Sequence, residues 1–247
     1  MRMLRVLRFV AKLEFSIDPV TAKAIPECAH LLAEIPAARL FDEFLKLFLA
    51  GYATATFDQL HQHDLLQYLF PETNAEIQRD DSALALVRAA MESTDKRIAI
   101  GKPVTPAFIL AALLWPSVER QAKQLQERGD PPIPAMHAAG QQVVSEAARH
   151  ISIPKRFSQP MREIWEFQLR LQNRRGRKAA ELVDHRRFRA AYDFLLLREQ
   201  TGEETGNLGS WWTDFQELPM EQRLEQAAKE KGTGGGRRSR KRRSSQT

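Results

Sequence analysis

The sequence has few of the features that mark secreted or membrane proteins. It contains one cysteine, Cys28, so no internal disulfide can form, and this fits a reducing compartment. The longest unbroken apolar run lies within residues 107–115, far short of the roughly 20 residues needed to cross a bilayer. The first eight residues place an arginine at every third position, where a secretion signal would be apolar. We therefore expect a cytoplasmic protein without membrane contact.

Catalytic and metal-binding constellations are also scarce. His61 and His63 have no third ligand at a suggestive spacing. Asp80 and Asp81 are adjacent, so on a helix they would point about 100° apart and could not hold one ion together. Residues 209–214 place a Gly-Ser pair before an aspartate, but no second carboxylate follows two residues later. We predict no catalytic residue and no metal ligand in this chain.

Positive charge is concentrated in two segments. Residues 155–189 contain eleven Lys or Arg against four acids, and residues 237–243 read Arg-Arg-Ser-Arg-Lys-Arg-Arg. The two segments together hold a formal charge of about +13, and the rest of the chain sums to about −7, for a net charge of +6. Such a distribution favours a polyanionic partner, because each neutralised phosphate releases condensed counterions. Nucleic acid is the first candidate, although charge alone leaves RNA, DNA and an acidic protein open.

The cations of these two segments are the candidate RNA-binding residues. They are Lys155, Arg156, Arg162, Arg170, Arg174, Arg175, Arg177, Lys178, Arg186, Arg187, Arg189, Arg237, Arg238, Arg240, Lys241, Arg242 and Arg243. Phe157, Trp165 and Phe167 lie among them, and aromatic rings can stack on unpaired bases. The alternative is a solvated helix face with its aromatic rings in the core, and for Trp165 and Phe167 we expect core positions.

Apolar residues recur with a helical period through most of the chain, and no segment alternates like a strand. The pattern predicts an all-α fold with residues 107–115 at the centre of the core. It also predicts one helix over residues 57–68, a helix from Ser82 to Thr94 capped by Ser82, and a charged helix over residues 221–231 with little to bury. Four regions are expected: neck helices (1–70), a helical body (71–152), an RNA-binding helical region (153–218) and a flexible basic tail (219–247).

Several motifs resemble one family. Residues 1–13, Met-Arg-Met-Leu-Arg-Val-Leu-Arg-Phe-Val-Ala-Lys-Leu, resemble the neck-helix motif of the poly(A) polymerase and tRNA CCA-adding nucleotidyltransferases, Glu-Asp-x-x-Arg-x-x-Arg-x-x-Arg-Phe. Residues 35–48 look like the next element of that family, a helix with Arg39 and Glu43 four apart. The later matches, which are similar to the RNA-binding region and Arg-rich tail of bacterial poly(A) polymerases, are residues 153–157, 174–178, 188–198, 211–212 and 237–243.

The resemblance implies a function in adding adenylate to RNA 3′ ends. In the family, a catalytic head precedes the neck and uses ATP and Mg²⁺, and its Gly-Ser turn followed by an Asp-x-Asp pair does not occur in this sequence. The resemblance also implies that Arg2 binds the adenine of ATP, and that Arg5 and Arg8 face the triphosphate or pair with acids. We therefore expect this chain to bind single-stranded RNA 3′ ends, to hold no cofactor of its own, and not to polymerise alone. A reading frame that begins at an internal methionine is the expected origin.

Two alternatives remain open at this stage. One is a stand-alone RNA-binding or scaffold protein that docks a helicase or another RNA-decay protein. The other is a fragment of a CCA-adding enzyme, which the basic tail disfavours because those enzymes lack such a tail. Neutralising Arg174, Arg175, Arg177 and Lys178 together is predicted to flatten the slope of log affinity against log salt by roughly 3, at about 0.7 per single-strand phosphate contact.

Overall fold

The computed structural model describes residues 1–230, which form an all-α fold, as the sequence predicts. This part of the chain contains fourteen α-helices and no strand. The helices are α1 (Arg2–Leu13), α2 (Pro19–Cys28), α3 (Ala37–Phe48), α4 (Ala53–Gln62), α5 (Leu66–Leu69), α6 (Pro71–Arg79), α7 (Asp81–Ala99), α8 (Pro106–Glu127), α9 (Pro132–Ala147), α10 (Lys155–Leu171), α11 (Gly176–Leu182), α12 (Phe188–Gln200), α13 (Leu208–Gln216) and α14 (Met220–Lys229). A 3₁₀ helix over Ala29–Glu34 follows α2.

Aspartate side chains cap the starts of two helices, and one of these caps corrects a prediction. Asp18 caps α2 by accepting hydrogen bonds from the backbone N–H groups of Val20 and Thr21. The predicted cap Ser82 is wrong for α7. Asp80 is the cap instead, and its carboxylate accepts a hydrogen bond from the Ser82 N–H at 2.8 Å. That hydrogen bond lowers the pKa of Asp80, because it stabilises the charged carboxylate.

The single helix predicted over residues 57–68 is wrong, because the chain breaks there into α4 and α5. Asp64 lies between them in the left-handed region, with φ of 54°. Few residues other than glycine adopt this conformation, although aspartate is among those that tolerate it. Pro71 then begins a further helix, α6, since proline fits the first turn of a helix, where its missing N–H is not needed.

The larger of two hydrophobic clusters is built around α8. The residues from Ala107 to Trp115 are all buried, which confirms the predicted centre of the core. The helix continues through Pro116 to Glu127 and packs most closely on α9 and α10. Even so, no helix within residues 1–230 is both long enough and apolar enough to span a membrane.

The smaller hydrophobic cluster joins α10–α14. Its aromatic members are Phe167, Phe188, Tyr192, Trp212 and Phe215, and Trp212 is completely buried. Helix α10 connects the two clusters, because Trp165 belongs to the larger and Phe167 to the smaller. Helix α10, which carries many of the cations, is therefore packed against both hydrophobic clusters.

Helix α14 buries more than its charged sequence predicts. Ala227 is 1% exposed, and Arg223 donates hydrogen bonds to the carbonyl oxygen of Ala180 and to the Asp184 carboxylate. These contacts attach α14 to α11, so the part of the expected basic tail before residue 231 is a packed helix. The boundaries of the four expected regions remain predictions.

Candidate nucleic-acid interface

Helix α10 presents one polar face to solvent. Its buried side chains are Ser158, Met161, Ile164, Trp165, Phe167, Gln168 and Leu171. At 100° per residue, the positions of Lys155, Arg156, Arg162 and Arg170 fall within an arc of about 120° on the opposite side. The amphipathic period of the helix therefore brings four of the predicted RNA-binding cations onto one exposed face.

Ion pairing divides the eleven cations of residues 155–189 into two sets. The paired set is Arg170, Arg177, Arg186, Arg187 and Arg189. The unpaired set, with no ion pair to any residue in 1–230, is Lys155, Arg156, Arg162, Arg174, Arg175 and Lys178. The four acids of the segment are all engaged, and one of them, Asp184, pairs with Arg223. The unpaired set is thus the one whose charge is free for phosphate.

The unpaired set forms two groups along and beyond α10. Lys155, Arg156 and Arg162 form the first group, in the N-terminal half of the helix. The second group follows the C-terminal end of α10, with Arg174 and Arg175 in the connection and Lys178 in the first turn of α11. A helix of 17 residues is about 25 Å long. The two groups can therefore contact separate parts of one extended strand.

Between the two groups, Glu163 neutralises a pair of arginines. Its carboxylate accepts hydrogen bonds from Arg187 and Arg186, at 2.5 and 3.5 Å, and from the Gln159 amide. Burial acts to raise the pKa of Glu163, but the hydrogen bond and charge of Arg187, with the weaker effects of Gln159 and Arg186, outweigh it and lower the pKa. Glu163 thus holds the α11–α12 connection against α10.

Replacing Glu163 with Gln should remove a pH-dependent part of the stability. A carboxyl group whose pKa is lower in the folded than in the unfolded state stabilises the fold at pH values above its unfolded pKa, which is about 4.3 for Glu. This contribution is lost as the pH falls through the folded-state pKa. We expect the variant to be less stable than the parent at pH 7 and to approach it below about pH 4. Urea unfolding at a series of pH values measures the difference.

Glu181→Gln is the matched control for that experiment. Glu181 also pairs with an arginine, Arg177, but the pair is exposed and lies within α11, so it is expected to contribute little at any pH. If the Glu163 and Glu181 variants lost the same stability at pH 7, the inter-helix role of Glu163 would be wrong.

Four of the candidate guanidinium groups lie over aromatic rings. The distances from Cζ to the ring centroid are 4.9 Å for Arg156 on Phe157, 5.1 Å for Arg170 on Phe167, 5.8 Å for Arg174 on Trp211 and 5.5 Å for Arg189 on Tyr192. Such contacts restrict the motion of the arginine side chains without neutralising their charge. Trp211 in turn stacks on Phe215, so Arg174 is held against the smaller cluster.

The aromatic residues within the basic segment stabilise the fold. Trp165 and Phe167 are each 1% exposed, which confirms the expected core positions. Phe157 is half-buried against Phe41, at 5.7 Å between ring centroids. Aromatic stacking platforms for bases are therefore not found at Trp165 or Phe167.

The predicted nucleotide-binding residues all lie on α1, away from the basic segment in sequence. Arg2 and Arg5 are exposed and Arg8 is half-buried, with its guanidinium 5.4 Å from the ring of Phe9. None of the three forms an ion pair with another residue in 1–230. Their role toward ATP stays a prediction. The tail residues Arg237, Arg238, Arg240, Lys241, Arg242 and Arg243 lie outside the described residues.

The sequence did not predict two features of the structure. Arg198 and Arg223 are buried cations with structural partners, and charge alone does not distinguish them from exposed ones. A groove beside residues 131–134 was also missed, and its only sequence signal is the proline-rich run at that point.

Comparisons with known proteins match both ends of the chain. Residues 14–77 match a family described as "Probable RNA and SrmB- binding site of polymerase A", and residues 128–246 match "Polymerase A arginine-rich C-terminus". The poly(A) polymerase I of Salmonella typhi is 43% identical over 228 residues, which cover 90% of this chain. The chain belongs to the poly(A) polymerase family. It corresponds to the RNA-binding C-terminal region of these enzymes.

Other relatives fit this membership of the poly(A) polymerase family. The poly(A) polymerase I of Haemophilus influenzae is 37% identical over 226 residues, or 90% of the chain. A CCA-adding enzyme of a Geobacillus species is 42% identical, but over only 69 residues, or 28% of the chain. The chain spans about half the length of the poly(A) polymerases that it matches, 49% for Salmonella typhi and 50% for Haemophilus influenzae.

Proposed function

We propose that this chain holds the RNA on which a poly(A) polymerase acts, by neutralising the phosphates of a single strand along the first half of α10 and beyond its C-terminal end. The observation that carries the proposal is the unpaired set of six cations, which lies on α10, on the α10–α11 connection and on the first turn of α11. Cations already neutralised by acids gain little from phosphate, whereas unpaired ones release counterions from the RNA. The parent reaction would extend an RNA 3′ end with adenylate from ATP and release pyrophosphate.

Salt dependence of RNA binding tests this proposal. The 247-residue chain is titrated with a fluorescent single-stranded oligoadenylate at several salt concentrations. We expect log affinity to fall linearly with log salt, and the six unpaired cations to contribute about −4 to the slope if each contacts a phosphate. Affinity that does not depend on salt would contradict phosphate neutralisation.

A folded RNA distinguishes the polymerase from the CCA-adding alternative. A tRNA acceptor arm of equal charge is titrated under the same conditions, and generic single strands are expected to bind at least as tightly. A clear preference for the acceptor arm would favour the CCA-adding alternative. In the same preparation, incorporation of adenylate from ATP and Mg²⁺ by this chain alone would contradict the expectation that it does not polymerise.

The remaining roles are proposed on the family resemblance. Arg2 would bind the adenine of ATP, and Arg5 and Arg8, which are free of ion pairs within residues 1–230, would face its triphosphate. Mg²⁺ would act with the intact enzyme and not with this chain. The chain's surface would also dock RNA-decay proteins such as a helicase, in the cytoplasm, where its single cysteine stays reduced.

A further inference from the structure

An apolar groove lies beside the second group of unpaired cations. Its volume is about 790 Å³, and it opens between the start of α9, the end of α10 and α11. One wall is formed by residues 131–134, with Ile133 60% exposed, and Leu169 and Leu182 contribute apolar surface on the other side. Pockets of 300–1,000 Å³ with apolar walls and a few polar groups are typical of small-ligand sites.

The rim of the groove is cationic and polar. Arg170 and Lys178 line it. Arg170 is paired with Glu166 at 3.8 Å, whereas Lys178 has no ion pair within residues 1–230. Glu181 is the one acid in its lining, and that carboxylate is already bound by Arg177 at 2.6 Å. The net charge around the groove therefore favours an anionic ligand.

Hydrogen-bonding groups with free capacity face the same space. The His185 Nδ1 accepts a hydrogen bond from the Arg187 N–H, which leaves Nε2 of the imidazole available. The Asn173 Oδ1 accepts from the Arg175 N–H, so the amide NH₂ of Asn173 remains a free donor. Groups of this kind read the edge of a nucleobase.

From these features we infer that the groove binds one unpaired nucleobase of the RNA strand, with an adjacent phosphate on Lys178. The base face packs on Ile133 and the prolines, while its edge meets Asn173 and His185. An apolar side chain of a protein would use the walls but not the cationic rim, so the charge selects a nucleotide. This inference rests on the proposed function, because it places a base of the same strand that the unpaired cations hold.

The test compares the binding of two oligomers to the parent chain and to a variant with a truncated Ile133 side chain. Ile133→Ala and the parent chain are titrated with an oligoadenylate of about 12 nucleotides and with an abasic oligomer of the same length. Removing the isoleucine contact is expected to weaken oligoadenylate binding about fivefold. Abasic binding and both salt slopes should stay unchanged, because no phosphate contact is lost.

Ile100→Ala is the matched control, since Ile100 is 65% exposed at the end of α7 and does not line the groove. It should bind both oligomers like the parent chain. As a second measurement, the Ile133 methyl NMR signals should shift with oligoadenylate and not with the abasic oligomer.

The outcomes separate this inference from the proposed function. Salt-dependent binding of both oligomers with no effect of Ile133→Ala, or an Ile133 shift caused equally by the abasic oligomer, would overturn the base site and leave phosphate binding intact. If neither oligomer bound, both the base site and the proposed function would be wrong. Equal losses in the Ile133 and Ile100 variants would overturn the base site, because the loss would not be specific to the groove.

Discussion

Replacing Arg174, Arg175 and Lys178 together with glutamine is expected to flatten the slope of log RNA affinity against log salt by about 2. Each unpaired cation lost from a single-strand complex removes about 0.7 from the slope. These three residues form the unpaired group beyond the C-terminal end of α10, and Arg175 and Lys178 are exposed. At moderate salt, the loss of three phosphate contacts should weaken binding by at least tenfold. The measurement is a fluorescence titration at four or more salt concentrations, roughly spanning the physiological range.

The control for this variant must remove the same charge elsewhere. Lys23, Lys96 and Lys102 are exposed, and none forms an ion pair within residues 1–230. Their replacement with glutamine lowers the net charge by the same amount, so any general electrostatic effect is matched. If both triple variants flattened the slope equally, RNA would be attracted by net charge alone, and the localised site would be wrong.

Adding Arg177→Gln to the triple variant gives the four-residue set for which the sequence alone predicts a change of roughly 3. The structure pairs Arg177 with Glu181 at 2.6 Å in an exposed position. Exposed pairs are weak, but breaking this one offsets part of the gain from a phosphate contact. We therefore expect the fourth substitution to add less than a full contact to the change in slope.

Charge position and helix period could be predicted from the sequence, but charge neutralisation could not. The placement of Lys155, Arg156, Arg162 and Arg170 on one face follows from local spacing along α10. The pairing of Glu163 with Arg186 and Arg187 joins residues more than twenty positions apart and depends on how α12 packs on α10. A sum of charges over the sequence therefore counts as free some cations that are paired with acids in the folded protein.

Tertiary contacts also explain the errors in the helical prediction. The apolar period runs through residues 57–68 without interruption, yet Asp64 adopts a left-handed conformation that lets α4 and α5 pack at different places. The groove beside Ile133 joins residues 131–134 to residues 169–185, which are distant in sequence, so a linear pattern does not reveal it. By contrast, the burial of residues 107–115 follows from composition alone, because that stretch of α8 contains no polar residue.

Trp165→Ala is expected to lower the free energy of unfolding by about 3–5 kcal/mol, since truncation of a buried large aromatic side chain loses transfer free energy and leaves a cavity. The side chain is 1% exposed, and its Nε1–H donates to the carbonyl oxygen of Ala111 in α8 at 3.0 Å. Its ring also lies against α9, where a Cβ added at Gly140 would come within 3.2 Å of it. Trp165 thus anchors α10 to both neighbouring helices, and urea unfolding followed by circular dichroism measures the loss.

Trp211→Ala controls for the loss of a tryptophan that is not fully buried. Trp211 is half-buried, although it stacks on Phe215 and donates to Glu230, so we expect a smaller cost of about 1–2 kcal/mol. The two variants should also differ in RNA affinity under conditions in which both are folded. Arg174 rests on Trp211, so that variant should alter RNA affinity, whereas folded Trp165→Ala retains every cation of the unpaired set. A greater loss of stability in Trp211→Ala would mean that α10 is held mainly by the smaller cluster.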